Sequence, residues 1–129
     1  LIERFEQSIL RLSRGEGEKM VIRSGDSSFS IGRNRNNRLV VNEQFTSGYH
    51  GRIEPIRGRF EYVDLSLNGT FVVRDDNPAE PEFVKRGSIT LIGSGKLILG
   101  QNPDQGDAGT IEFEVVGENE PDGDLSPVF

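Results

Sequence analysis

The sequence of 129 residues contains no cysteine. This absence excludes disulfide bonds, thiolate metal sites and thiol catalysis, and with them any need for an oxidising compartment. A cytoplasmic location is therefore the expected one.

Long apolar runs are also missing. No stretch approaches the roughly 20 apolar residues of a membrane-spanning helix, so no contact with a membrane is expected. The length suits one domain, which we place at residues 7–117, after a lead-in at 1–6 and before an acidic, mobile tail at 118–129. The chain begins at Leu1 without a signal pattern, and this favours a fragment of a longer protein.

Catalytic signatures are absent as well. The sequence has no nucleophile elbow and no His-Glu-x-x-His, and Gly93-Ser94-Gly95-Lys96 lacks the remaining residues of a phosphate loop. The single histidine, His50, has no cysteine and no obvious carboxylate partner in its motif. We therefore expect a binding module without cofactor or metal, and an enzyme is the alternative from another class.

Charge is unevenly distributed along the chain. The net charge of −6 argues against a nucleic-acid partner, which needs a basic surface. Residues 31–60 nevertheless hold six arginines against two glutamates, whereas residues 101–129 hold eight acidic residues and no basic one. A cationic middle of this kind can attract a small anion while the whole chain repels a polyanion; the alternative is a surface charge that averages out on folding.

Strand patterns recur along the chain, and no helical stripe follows residue 12. The clearest strand is 110–116, where Ile111, Phe113 and Val115 share one face. Gly93-Ser94-Gly95 is predicted as a hairpin turn, and 74–87 as a long hairpin connection. Short strands that each bury one face need a second sheet, so we predict an all-β, two-sheet β-sandwich of about eleven strands. The strand segments are 8–12, 20–22, 28–31, 38–41, 50–54, 60–64, 70–73, 88–92, 96–99 and 110–116.

Three short motifs follow one another in loops: Ile31-Gly32-Arg33, Ser47-Gly48-Tyr49-His50 and Leu67-Asn68-Gly69-Thr70. Their order and spacing resemble the forkhead-associated (FHA) family over nearly the whole chain. The resemblance implies a SMAD/FHA-like sandwich whose loops at one end bind a phosphothreonine-containing protein or peptide, with no nucleic acid and no membrane involved. It leaves the oligomeric state open.

The resemblance also implies roles for individual residues. Arg33 would supply a planar fork for the phosphate, Ser47 a hydroxyl donor and Asn68 an amide that grips the ligand's main chain. His50 would brace the loops from within without touching the ligand. The loop-supporting residues are then Gly32, His50, Gly69 and Thr70, and the phosphopeptide-binding residues are Arg33, Arg35, Ser47, Gly48, Leu67 and Asn68.

Two positions depart from the family pattern. The family often has Arg or Asn where this chain has Gly48, and commonly Thr or Ser where it has Leu67, with Ser66 expected to point elsewhere. Losing a hydroxyl to phosphate costs about 1.5–3 kcal/mol, and we expect Arg35 or a backbone N–H at Gly48 to compensate.

Plainer functions stay open for the same residues. Arg33 can be an ordinary surface arginine, Ser47 a turn cap and Asn68-Gly69 a simple turn or a glycosylation acceptor. The rival function is a phosphate-independent interaction or oligomerisation sandwich. Residues 88–100 also resemble a hairpin in bacterial FHA proteins fused to nucleotide cyclases, which suggests a bacterial signalling enzyme as the parent protein.

Overall fold

The computed structural model describes residues 8–106 and 108–117. These residues form eleven β-strands and one short 3₁₀ turn at Pro103–Gln105. The all-β prediction and the strand number are confirmed. The lead-in predicted at 1–6 and the tail predicted at 118–129 lie outside the described residues.

Six strands form the first sheet, in the order β2-β1-β11-β10-β7-β8. All neighbours in this sheet pair antiparallel. The predicted alternation of the last strand is confirmed, because Ile111 and Phe113 are buried between exposed glutamates. The strand bounds are β1 Ser8–Ser13, β2 Lys19–Arg23, β7 Thr70–Arg74, β8 Glu82–Val84, β10 Ser94–Leu99 and β11 Thr110–Gly117.

Five strands form the second sheet, in the order β4-β3-β5-β6-β9. The short β4 runs parallel to β3, and the other neighbours pair antiparallel. The bounds are β3 Phe29–Gly32, β4 Leu39–Val40, β5 Gly51–Ile56, β6 Arg59–Asp64 and β9 Ser88–Leu91. The inward faces of the two sheets bury one core, with Leu10, Leu12, Ile31, Phe60 and Leu97 among its members.

One strand was not predicted. Glu82–Val84 lies inside the segment 74–87, which was expected to be only a connection, and pairs with β7 so that Thr70 faces Val84 and Phe71 faces Phe83. Two of its three residues are exposed, since it is the edge strand of its sheet. Three residues beside Pro81 are too few to show a period of two, which is why the pattern missed the strand.

The hairpin predicted across Gly93-Ser94-Gly95 is wrong. The strand before it, β9, pairs with β6 in one sheet, and the strand after it, β10, pairs with β7 and β11 in the other. The chain therefore crosses between the sheets at Ile92-Gly93, where Gly93 has a φ of 69°. A glycine turn is compatible with both connections, and only the pairing partners distinguish them.

The β6–β7 connection is a crossover of the same kind. Asn68-Gly69 does not close a hairpin, because β6 and β7 belong to different sheets.

Among the described residues there is no helix long and apolar enough to cross a membrane.

Candidate functional site

The three motifs lie together at one end of the sandwich. The strands β3, β5, β6 and β9 are antiparallel neighbours, so β3 and β6 end where β5 and β9 begin. The loops after β3, before β5 and after β6 therefore share that end. They carry Arg33, Ser47 and Asn68 respectively.

Gly32 lets two of these loops approach each other closely. The Arg33 N–H donates to Ser47 O at 2.9 Å and the Asn34 N–H to Gly48 O at 3.0 Å. A Cβ at Gly32 would lie 2.2 Å from Gly48 O, so no other residue fits without moving the loop. The amide of Asn37 adds a link, because its Nδ2 donates to Asn34 O and to Gly48 O, both at 2.7 Å.

His50 joins the second loop to the third. The Ser47 N–H donates to its Nδ1 at 3.0 Å, so the ring hydrogen is on Nε2. This Nε2 lies 2.9 Å from Gly69 O and donates to it. The ring is fully buried and therefore does not reach a ligand at the surface.

Burial favours the neutral form of this imidazole. Burial lowers the pKa of His50 below its ordinary value of 6.5, and the Gly69 carbonyl and the Asp64 carboxylate oppose that shift only in part. A neutral ring is required by the geometry, because a protonated Nδ1 could not accept the Ser47 N–H.

A buried carboxylate, Asp64, organises the third loop from beneath. Its Oδ1 accepts the Ser66 N–H at 2.9 Å and the Arg86 N–H at 3.1 Å, and its Oδ2 accepts the Thr70 hydroxyl at 2.6 Å. The Tyr62 hydroxyl donates in turn to Thr70 Oγ1 at 2.8 Å. Burial raises the pKa of Tyr62 far above its ordinary range, so this phenol stays a donor.

The sequence offered no signal for Asp64, because the residue lies outside the three motifs. Ser66, expected to point away from the site, does so: its buried hydroxyl donates to Asp64 and accepts the Gly69 N–H at 2.7 Å. These bonds satisfy buried polar groups that would otherwise destabilise the loop.

Two glycines complete the loop end. Gly69 has a φ of 84°, and a Cβ there would lie 2.3 Å from Cζ of Phe83. Gly100, which follows β10 and was not singled out from the sequence, has a φ of 79° and donates its N–H to Gly69 O at 2.8 Å. A Cβ at Gly100 would lie 1.9 Å from Phe45 O, so the first residue after β10 supports the same loops.

The exposed polar groups of the site belong to the loops that these buried residues hold in place. Arg33 and Arg35 are exposed, and neither side chain makes a hydrogen bond or ion pair with the part of the chain that the structure describes. The Ser47 Oγ accepts the Leu67 N–H at 3.1 Å, which leaves its O–H hydrogen free to donate outward. The Asn68 Nδ2 donates to Phe45 O at 3.3 Å and leaves the amide oxygen exposed.

The two departures from the family pattern are visible at the surface. Leu67 is 66% exposed, so an apolar side chain stands in solvent on the residue whose backbone N–H donates to the Ser47 hydroxyl. Gly48 has room for a side chain, since a Cβ there would meet only Asn34 Cβ at 4.0 Å. Phe45 and Tyr49 are also exposed in the adjoining loop, so the polar groups stand among apolar ones.

The cationic middle of the sequence does not form one patch. Arg33 and Arg35 lie at the loop end, whereas Arg57 lies in the β5–β6 turn at the opposite end. Arg52 pairs with Glu54, whose pKa is lowered mainly by that hydrogen bond and by one from Ser28. The guanidinium of Arg38 lies 5.2 Å from the centre of the Phe29 ring. Only some of the arginines in residues 31–60 therefore lie at the loops of the candidate site.

No metal site accompanies these groups. Within residues 8–106 and 108–117, no three histidine, aspartate or glutamate side chains come close enough to hold a metal ion.

A family model described as FHA domain matches residues 29–93, half of the chain. The chain belongs to the FHA family. An FHA domain is a binding module and not an enzyme. The search of curated proteins gave no match.

Solved FHA structures share the fold. The FHA-1 domain of Mycobacterium tuberculosis Rv1747 is 23% identical, with a TM-score of 0.63 over 84% of this chain and 97% of that one. The FHA domain of an Arabidopsis thaliana hypothetical protein is 21% identical, with a TM-score of 0.63 and 92% of each chain covered. The N-terminal FHA domain of S. cerevisiae Rad53p, solved with a phosphothreonine peptide, is 14% identical, with a TM-score of 0.60 over 84% and 93%. At these identities the likeness establishes the fold alone.

Proposed function

We propose that this FHA domain recognises phosphothreonine-containing peptides and mediates phosphorylation-dependent protein–protein interaction in signalling. The observation that carries the proposal is the exposed Arg33, whose guanidinium has no partner among residues 8–106 and 108–117 and whose backbone N–H donates to Ser47 O in the neighbouring loop. The solved Rad53p complex with a phosphothreonine peptide supports it. The proposed ligand-contacting residues are Arg33, Arg35, Ser47, Gly48, Leu67 and Asn68, and the proposed loop supports are Gly32, His50, Gly69 and Thr70.

The chemistry of the ligand matches these groups. A phosphothreonine carries nearly two negative charges and three acceptor oxygens. The planar guanidinium of Arg33 can donate two parallel N–H bonds to such a group, and the Ser47 O–H can donate a third. Because neither donor has a partner within the part of the chain that the structure describes, binding leaves no group of that part unsatisfied.

Asn68 is suited to the ligand's main chain. Its Nδ2 is already engaged with Phe45 O, so its exposed Oδ1 can accept an N–H from an extended peptide. An amide fixed on one side holds the peptide in one orientation over the loops.

The phosphothreonine comes from outside these 129 residues. Thr46 and Thr70 are buried, and Thr90 and Thr110 are half-buried within β9 and β11. None of the chain's own threonines is therefore presented in an extended, exposed segment that the loops could bind.

A second function is favoured by Leu67 and Gly48. The exposed side chains of Leu67, Tyr49 and Phe45 add apolar surface to the loops that carry Ser47 and Asn68, and a Thr or Ser hydroxyl is missing from position 67. A phosphate-independent interaction module would use this apolar surface and would bind unphosphorylated partners equally well.

The deciding experiment is titration of a degenerate phosphothreonine peptide library against the wild type, Arg33→Ala and Arg57→Ala, with the unphosphorylated library alongside. We expect binding only with phosphate, and a loss of about a hundredfold in Arg33→Ala, which removes about two charge-assisted hydrogen bonds. Arg57→Ala removes the same charge from the opposite end of the sandwich and should bind normally. Equal binding of the phosphorylated and unphosphorylated libraries would establish the second function. Phosphate-dependent binding that Arg33→Ala leaves unchanged would contradict the role proposed for Arg33.

The cellular location and the nature of the parent protein remain predictions. A cytoplasmic location fits the lack of cysteine, and a bacterial parent protein with a nucleotide cyclase was suggested by residues 88–100. The hairpin likeness behind the cyclase is not supported by the pairing of β9 and β10.

A further inference from the structure

Arg86 lies in an unusual backbone conformation next to the candidate site. Its φ of 56° places a non-glycine residue in the left-handed region, which sterics disfavour. Arg57 is the other such residue among those described, and a tight hairpin turn accounts for it, because Arg57-Gly58 joins β5 to β6 with both φ angles positive. Arg86 lies in a crossover between sheets, where no hairpin requires this conformation.

The surrounding structure holds Arg86 in place. Its N–H donates to the buried Asp64 Oδ1 at 3.1 Å, and its Nε donates to Ser66 O at 3.3 Å. Both partners belong to the segment that carries Asn68. The guanidinium is therefore fixed against the β6–β7 loop and does not extend freely into solvent.

The remaining donors of this guanidinium are unused. Arg86 is exposed, and its Nη groups make no hydrogen bond or ion pair with residues 8–106 or 108–117. Lys85, the preceding residue, is exposed as well and adds a second positive charge. An anchored guanidinium with free Nη groups is suited to binding a carboxylate through two parallel bonds.

The distance from Arg33 follows from the strand order. Arg33 follows β3 and Arg86 precedes β9, and β5 and β6 lie between these strands in one sheet. Three strand spacings amount to roughly 14 Å, which an extended peptide covers in about four residues. Asn68, proposed to hold the peptide main chain, lies on the loop between the two arginines.

We infer that Arg86 is a specificity-determining residue that selects an aspartate or glutamate about four residues from the phosphothreonine. The inference rests on the proposed function and narrows its ligand to acidic phosphothreonine peptides. The charge of Lys85 supports the same selection without the fixed geometry of Arg86.

The test uses a phosphothreonine peptide of otherwise neutral sequence, in which a single aspartate is moved through each position on both sides. The proteins are the wild type, Arg86→Gly and Arg57→Gly. Glycine suits the left-handed backbone at both positions, so each variant removes one guanidinium without straining the turn. Thermal unfolding of both variants verifies that they are folded.

We expect the wild type to bind one aspartate position about fivefold more tightly than the neutral peptide, the size expected of a well-placed exposed ion pair. Arg86→Gly should bind the neutral phosphopeptide normally and lose this preference, whereas Arg57→Gly should keep it. Wild-type binding without any acidic preference, or a preference that survives in Arg86→Gly, would overturn the inference and leave the proposed function standing. Absence of phosphothreonine binding by the wild type would overturn both.

Discussion

Position 67 lies at the surface of the β6–β7 loop, where its backbone is hydrogen-bonded to the Ser47 hydroxyl. Leu67 is 66% exposed and contributes its backbone N–H to Ser47 Oγ, while its side chain offers no hydrogen bond. The framework below it is intact: His50, Asp64 and Ser66 are buried and hydrogen-bonded. The departure at 67 therefore affects the surface chemistry of the loop and not its conformation.

Restoring a hydroxyl at this position tests that view. We expect Leu67→Thr to bind phosphothreonine peptides about tenfold more tightly, because a hydrogen bond to a charged group contributes at least about 1.5 kcal/mol. The measurement is peptide affinity by calorimetry.

Leu67→Val is the matched control, since valine has the shape of threonine without the hydroxyl. Equal affinities of the threonine and valine variants would show that the phosphate does not reach position 67.

Two glycines in the loops of the candidate site have opposite surroundings: Gly32 is crowded and Gly48 is open. Gly32 sits where a Cβ would lie 2.2 Å from Gly48 O, whereas a Cβ at Gly48 would meet nothing closer than 4.0 Å. Both belong to the same pair of loops. The contact between the two loops requires a residue without a side chain at position 32, but not at position 48.

Alanine at each position separates these roles. We expect Gly32→Ala to lower the free energy of unfolding by about 2 kcal/mol and to abolish peptide binding, because the loops must separate. Gly48→Ala should change stability by less than about 0.5 kcal/mol and leave binding in place.

Denaturant unfolding and peptide titration of both variants measure these effects. A stable, binding-competent Gly32→Ala would contradict the close approach of the two loops. Given the open space at 48, Gly48→Arg is expected to fold normally, and tighter peptide binding by that variant would show that the ligand passes over this loop.

At the scale of the whole molecule, the single histidine links stability to pH. Burial lowers the pKa of His50 below 6.5, so the unfolded chain binds a proton more readily than the folded one. The free energy of unfolding should be constant above about pH 7 and should decrease as the pH falls below 6.5. Protonation also removes the acceptor of the Ser47 N–H and separates the two loops that His50 joins.

Denaturant unfolding between about pH 5 and 8 measures this dependence, above the range where most carboxylates titrate. His50→Gln should be less stable throughout and should lack the decrease near pH 6.5. The same slope in both proteins would show that His50 does not cause it.

The order of polar and apolar residues along the chain was enough to predict a two-sheet sandwich, and the resemblance of three motifs to the FHA family indicated the loops of the candidate site. Alternation over residues 110–116 depends on neighbours within one strand, and such neighbours are visible in the sequence. The three motifs, too, are local, and the structure brings Arg33, Ser47 and Asn68 to one end because their strands alternate in direction.

Contacts between distant parts of the chain were not available from local pattern. The edge strand Glu82–Val84, the separate partners of β9 and β10, and the buried position of Asp64 each depend on residues far away in sequence. Arg86 is the clearest case: the sequence shows an ordinary basic residue, whereas a buried carboxylate and a loop carbonyl hold it against the site. A local pattern specifies what a strand can bury, and long-range pairing specifies which partner it meets.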